Sequence, residues 1–184
     1  QTRFRGSPNV GYTFCEWEPT EEQKKNLESF DILCAGSTWN SQFIESLGFR
    51  CHPVQQGVDT ERFKPLPRIQ WKDRFVIYSG GQLSQRKAQD LVIEAVKIIQ
   101  KRHPEALLLA SWFNIWAGTD GYKDAGVDLL GLPLLSHREL CFYMNQSDVG
   151  LFPNRCEGGT NLILMEYMAC GKPVIVSENV GAKD

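Results

Sequence analysis

Two glycine-bearing stretches hold the residues of this sequence best suited to chemistry, each at the expected start of a helix. The first is Ser79-Gly80-Gly81-Gln82-Leu83-Ser84-Gln85-Arg86-Lys87, a glycine turn followed by two cations. Glycines let a backbone approach a ligand closely, a helix N-terminus offers unpaired N–H groups, and Arg86 and Lys87 supply positive charge. That combination suits a phosphate; the plainer alternative is a strand-to-helix turn with solvated cations. The second stretch, Asn154-Arg155-Cys156-Glu157-Gly158-Gly159-Thr160-Asn161, runs into Leu162-Ile163-Leu164-Met165-Glu166. Here again a glycine turn opens a helix whose first amides can hold an anion. Glu166 falls about six residues along, roughly 9 Å up the axis at 1.5 Å per residue, which is the reach from a diphosphate to the ribose beyond it. A carboxylate among Leu, Ile and Met is costly to bury unless donors meet it, so Glu166 is expected to face a cleft. Glu157, before the glycines, is placed for hydroxyl groups on the other side of the anion. The alternatives are an exposed helix glutamate and an exposed turn glutamate.

Other candidates are weaker. Gly171-Lys172 is followed by Pro173 and lacks the upstream glycine of a Walker A loop, and no Gly-x-Gly-x-x-Gly follows the first strand of either half. Simple ATPase and NAD-binding readings weaken accordingly. His52, His103 and His137 are scattered, with His137 a candidate only for a cleft rim. Trp112, Phe113 and Trp116 follow a strand and are expected to pack, the alternative being a platform for a ligand.

Alternating strand and helix patterns must position these stretches, which predicts an α/β parallel sheet. In the first third, strands are expected at 10–14, 31–35 and 51–55, with helices opening at Pro19-Thr20-Glu21-Glu22 and spanning 40–47. A segment containing Pro65 and Pro67 reads as an interdomain connection over 58–72, dividing a 1–57 domain end from a 73–184 domain. The pattern then restarts with Phe75-Val76-Ile77-Tyr78, an apolar run suited to a central strand and closed by Ser79-Gly80-Gly81. A helix over 86–102 carries Leu91, Val92, Ala95, Val96, Ile98 and Ile99 as its apolar stripe. Further strands are expected at 106–110, 127–130, 149–152 and 174–176, with helices at 136–145 and 161–169. Five such strands with intervening helices form an open Rossmann-like sheet with helices on both faces, whose ligands sit beyond the carboxyl ends.

The 184 residues, 42% hydrophobic and 23% charged, are enough to bury a core. A net charge of −2, from 20 basic and 22 acidic residues, argues against nucleic acid or an anionic membrane as an electrostatic partner. Cys15, Cys34, Cys51, Cys141, Cys156 and Cys170 form no Cys-x-x-Cys pair, so no metal site is expected and reduced core thiols are the simplest reading. No apolar run approaches the length of a membrane helix and no signal peptide opens the chain, so a soluble, cytosolic protein is expected. The chain starts at Gln1 and stops at Asp184 just after a strand and turn, as an excised piece of a longer protein would.

The run from Phe152 through Glu157-Gly158-Gly159-Thr160-Asn161 to Glu166, and on through Ala169-Cys170-Gly171-Lys172-Pro173-Val174-Ile175, resembles the donor-binding signature of family-four, GT-B-fold glycosyltransferases. Tyr78-Ser79-Gly80-Gly81 with Arg86-Lys87-Ala88-Gln89-Asp90 resembles that family's other conserved segment, and Gly57-Val58-Asp59 with Phe63 and Pro65 its interdomain linker. The resemblance implies a metal-independent, retaining transferase of polysaccharide or glycolipid assembly, needing no cofactor besides its nucleotide-diphosphate sugar co-substrate. It would act on a glycan or lipid-linked acceptor, in the cytoplasm or peripherally at the cytoplasmic face of a membrane. Lys87 would hold the donor diphosphate with Gly80, Gly81, Gln82 and Arg86, supported by the amides of Gly158, Gly159, Thr160 and Asn161. Glu166 would bind the ribose, Glu157 the sugar hydroxyls, and Leu132 and Pro133 would border the base; Glu157, Glu166 and Lys87 form the implied catalytic set. Three departures stand out. Eight residues separate the two glutamates where the family commonly has seven, Gln82 stands where a basic residue is frequent, and most of an amino-terminal acceptor domain is absent. The fragment alone would then bind donor without transferring. A non-catalytic nucleotide-sugar-binding module and a GT-B nucleotide-sugar epimerase are the competing readings.

Overall fold

The computed structural model describes residues 6–113, 122, 125–178 and 180–184. Trp116 lies outside them. The chain forms two compact units. The first holds the described residues up to Gly57 together with Cys156–Asn161 and Glu178–Asp184; the second holds Val58–Arg155 and Leu162–Ser177.

In the first unit, β1 (Val10–Thr13), β2 (Ile32–Ala35) and β3 (Cys51–Pro53) pair in parallel, with Leu33 opposite both Gly11 and Cys51. Parallel neighbours need crossovers, supplied by α1 (Glu21–Glu28) and α2 (Thr38–Ser46). Thr20 and Gln23 close a reciprocal capping box at the start of α1, as the Pro-Thr-Glu-Glu run predicts. Ser37 caps α2, so that helix begins two residues before the expected Asn40. Leu27, Leu33, Ala35, Ile44 and Cys51 are the buried core. All six cysteines are free.

The second unit is a five-stranded parallel sheet in the order β6-β5-β4-β7-β8, made of β4 (Val76–Gln82), β5 (Leu107–Phe113), β6 (Leu129–Gly131), β7 (Val149–Phe152) and β8 (Val174–Val176). α3 (Gln89–Gln100), α4 (His137–Asn145) and α5 (Leu162–Ala169) complete it. The expected α/β architecture is present. Successive strands step one way from β4 to β6, then return to the other side of β4 with β7. The strand order therefore reverses between β4 and β7, the place where open α/β sheets hold ligands.

Two boundaries differ from expectation. β4 does not close at its glycines: Gly80, Gly81 and Gln82 pair with Ser111, Trp112 and Phe113. β5 extends equally far, so the ladder outlasts the apolar run. Arg86 and Lys87 do not open α3 either; they occupy a separate 3₁₀ turn, Gln85–Lys87, ended by Ala88 in the left-handed region at φ 56°. The buried face of α3 is Gln89, Val92, Ile93 and Val96, and Leu91 and Ile98 of the expected stripe, seven residues apart on one flank, are exposed.

The connection ahead of β4 is docked onto the second unit by side chains from the end of α4. Asn145 Oδ1 accepts the Leu66 N–H at 2.7 Å while its Nδ2 donates to the Lys64 carbonyl at 3.0 Å. Gln146 Oε1 accepts the N–H groups of Ile69 and Gln70 at 2.8 and 2.9 Å. Both amide side chains are fully buried while the segment residues they hold are exposed, so it is the amides that depend on these bonds for partners.

Candidate functional site

In the second unit the residues that could bind a ligand cluster on the loops after β4 and β7 and on α5. α5 is held by its aromatic residue: Tyr167 is fully buried, stacks on Tyr78 at 5.1 Å between centroids, and shares a hydrogen bond of 2.7 Å with Ser147 Oγ. β7 makes room for that ring at Gly150, where a Cβ would lie 2.6 Å from Phe152 Cε2 and 2.8 Å from Tyr167 Cε1. Leu164 is buried beside it on the same helix. Glu166, one residue before Tyr167, is half-buried, and burial alone pushes its carboxyl up to about 7. Its charge in turn contributes to the upward shift of the Tyr78 hydroxyl, which is dominated by burial. A half-buried carboxylate of this kind is an acceptor awaiting donors.

The two glycines of β4 serve different needs. A Cβ on Gly80 would lie 2.4 Å from Ile163 Cδ1, 2.6 Å from the Tyr78 hydroxyl and 2.7 Å from Ser111 Oγ. Side chains fill that space, so packing demands glycine there. Gly81 has room for a Cβ but sits at φ 122°, which L side chains rarely adopt. Gln82 ends the strand, and its carbonyl accepts from Gln89 Nε2 at 2.8 Å. Beyond it, Ser84 Oγ is the one buried side-chain polar atom without a hydrogen-bond partner among the described residues. Such an orphan marks a place where a further acceptor or donor fits. Nothing in the sequence singled it out.

Leu132 is buried, with its N–H on the Ala110 carbonyl at 2.8 Å. Pro133 lines a cavity of about 60 Å³ with Ser111, Phe113 and Ile163, just past the carboxyl ends of β5 and β6. Trp112 packs, as expected: it is buried and donates from Nε1 to Ser79 Oγ at 3.1 Å. His137 is bonded through Nδ1 to Arg62 Nη1 at 3.0 Å and meets Phe63 edge-on, so it serves the docked connection. Because a guanidinium only donates, that Nδ1 is an acceptor.

The stretch Cys156–Asn161 belongs to the first unit. Glu157, Thr160 and Asn161 are buried there, and Asn161 is left-handed at φ 64°. The Gly158 carbonyl accepts from Ser37 Oγ at 2.8 Å, and the Gly181 N–H donates to the Glu157 carbonyl at 2.9 Å. The Gly158 N–H, expected to face an anion, donates to Glu16 Oε1 at 3.0 Å. A carboxylate of the chain itself occupies that amide. No group of three or more His, Cys, Asp or Glu able to hold a metal ion occurs among the described residues.

Residues 74–184 match the family model described as glycosyl transferases group 1. The chain is 28% identical over 149 residues to the GDP-mannose-dependent alpha-(1-6)-phosphatidylinositol monomannoside mannosyltransferase of Mycolicibacterium smegmatis, covering 70% of this chain and 38% of that protein. The chain thus spans about two fifths of the length of that curated relative. Among solved structures it is similar to sucrose-phosphate synthase from Thermosynechococcus elongatus, at a TM-score of 0.74 and 17% identity over 95% of this chain and 51% of that one. It is also similar to Anabaena Alr3699/HepE in complex with UDP-glucose, at a TM-score of 0.74 and 19% identity over 96% of this chain and 55% of that one. These neighbours share its Rossmann-like, GT-B sheet architecture. With the match covering all five strands of the second unit's sheet from just before β4, the chain belongs to the glycosyl transferases group 1 family.

Proposed function

We propose that this chain is the nucleotide-sugar donor-binding part of a retaining glycosyltransferase that delivers a sugar to a glycan or lipid-linked acceptor. The observation that carries the reading is Glu166: a half-buried carboxylate, its pKa raised to about 7 by burial alone, on a family-matching helix at the carboxyl end of the sheet. Vicinal ribose hydroxyls supply the donors such a group calls for. The 3₁₀ turn carries Arg86 and Lys87 to the diphosphate, with Gly80, Gly81 and Gln82 shaping the approach and Leu132 and Pro133 bordering the base. The family resemblance assigns Glu157 to the sugar hydroxyls and the amides of Gly158, Gly159, Thr160 and Asn161 to the phosphates. An incoming anion has to displace the Glu16 carboxylate from the Gly158 N–H.

In this scheme the cations and amides stabilise the nucleoside diphosphate as it departs from the anomeric carbon, so the protein contributes fixed electrostatics and needs no metal. A relative named as GDP-mannose-dependent and a neighbour solved in complex with UDP-glucose support the donor class and leave the base to experiment. Calorimetric titration with UDP, GDP, ADP and NAD tests the reading. One nucleoside diphosphate is expected to bind, with Glu166→Ala abolishing most of its affinity; a folded chain that binds none of the four overturns it.

A further inference from the structure

Arg155 ends the second unit's run after β7, and it makes an unusual set of bonds. Its Nη1 and Nη2 donate to Asp90 Oδ1 and Oδ2 at 2.8 and 2.6 Å, a bidentate pair. The same Nη1 donates to the Gln85 carbonyl at 3.0 Å, and the Arg155 backbone N–H donates to the Arg86 carbonyl at 2.8 Å. Gln85 and Arg86 are two residues of the 3₁₀ turn whose third is Lys87, while Asp90 lies in the first turn of α3.

Between turn and helix stands Ala88 in the left-handed region, so the two are not one continuous helix. Ser84, at the head of the turn, makes no side-chain capping bond to it. A short 3₁₀ turn is held weakly by its own bonds. Arg155 reaches across the break, with two bonds to the turn and two to the helix.

Stability alone is a poor explanation for the pair. The Arg155 and Asp90 side chains are 40% and 59% exposed, and ion pairs that open to solvent contribute little to folding. Their geometry, in contrast, ties the Gln85 carbonyl, at the start of the turn that carries Arg86 and Lys87, to the first turn of α3, while the Arg155 main chain holds the Arg86 carbonyl. We infer that Arg155 is a positioning residue for diphosphate binding: anchored by Asp90, it splints the 3₁₀ turn to α3 so that Arg86 and Lys87 present their charges from a preformed place. This rests on the reading of Lys87 as a diphosphate ligand. Preorganised charge binds without first ordering its own loop, and that difference is what removal of the splint exposes.

The test uses the full chain in four forms: wild type, Arg155→Ala, Lys87→Ala and the double variant, with Asp90→Asn as a second way of breaking the splint. Affinities for UDP and GDP are compared with those for uridine and guanosine, alongside urea midpoints and amide hydrogen exchange at residues 85–88. Arg155→Ala and Asp90→Asn are each expected to weaken the diphosphate about tenfold while leaving the nucleoside and the midpoint nearly unchanged. Exchange at 85–88 is expected to quicken, with the core amides of α3 unaffected. Because Arg155 acts through its neighbours, the double variant is expected to bind little worse than Lys87→Ala. Additive losses would instead place Arg155 on the phosphate itself and overturn the inference, as would unaltered exchange at 85–88. If Lys87→Ala binds UDP and GDP as wild type does, the ligand reading fails; the exchange measurement still decides whether Arg155 holds the turn.

Discussion

Glu166 combines a ligand-binding role with a cost to folding. Burial raises its carboxyl from 4.5 to about 7, so between those values the folded chain holds a proton that the unfolded chain has lost. The contribution of this group to stability is therefore greatest below about pH 4.5, falls as pH rises toward 7, and levels off above it. A tenfold change in proton affinity is worth about 1.4 kcal/mol; with solvent screening at a half-buried site, the whole effect is on the order of 1–2 kcal/mol. Glu166→Gln is expected to gain stability over wild type between pH 5 and pH 8, read from urea midpoints across that range. A constant difference would show that the carboxyl titrates normally. The proposed ribose contact works in the opposite direction, since hydroxyl donors favour the ionised form. Nucleoside diphosphate binding near pH 6.5 should release protons, visible as a binding enthalpy that changes with the buffer's own ionisation enthalpy. Glu166 was legible in the sequence because a lone carboxylate in an apolar helix demands explanation. The Glu16 carboxylate on the Gly158 N–H was not, because its partner lies 142 residues away and no local pattern encodes the pairing.

At the scale of elements, periodicity located every strand and α-helix of the described residues, and the misses fall where tertiary pairing overrides composition. Gly80 and Gly81 read as the end of a strand, yet β5 supplies ladder partners through Phe113. Arg86 and Lys87 read as the opening of α3, yet the left-handed Ala88 sets their turn apart from it. Such a conformation is uncommon for alanine, so no sequence rule would have placed a break there. Gly150 shows the same dependence on neighbours. It sits in the middle of β7, where glycine costs strand stability, because a Cβ there would run into the Phe152 and Tyr167 rings. Those rings are packed on Tyr78 and have no flexible end to yield. Gly150→Ala is therefore expected to destabilise the fold by about 1–3 kcal/mol, the usual range for an overpacked core. The same variant should weaken ligand binding by moving α5. A urea midpoint equal to that of wild type would mean that α5 is loosely seated.

On the scale of the whole molecule, the family match begins at residue 74, whereas the second unit begins at Val58. The difference is the connection through Pro65 and Pro67, which composition suggested is a linker and which the structure shows docked on the end of α4. Asn145 and Gln146 have their polar groups committed to its backbone. Replacing both by alanine removes these four part-buried hydrogen bonds to that backbone, at about 0.5–1.5 kcal/mol for each bond lost. A loss of roughly 3 kcal/mol or more in the full chain is expected from chemical denaturation. If the loss stays below about 1 kcal/mol, solvent reaches those groups and the docking is superficial.

That docking also determines where the instructions for the path are stored. Asn145 and Gln146 recognise the N–H groups of Leu66, Ile69 and Gln70 and the carbonyl of Lys64, never a side chain of the segment they hold. The route is thus written in two amides at the end of a helix together with the Arg68 side chain, which pairs with Asp148, while the side chains of Leu66, Ile69 and Gln70 are free to drift. Two members of the family could differ at 66, 69 and 70 and still run the chain along one track, provided both amides and the Arg68–Asp148 pair remain. For protein engineering, the exposed Leu66 and Ile69 side chains become convenient positions for a dye or a surface tether, because changing them leaves the main-chain contacts in place.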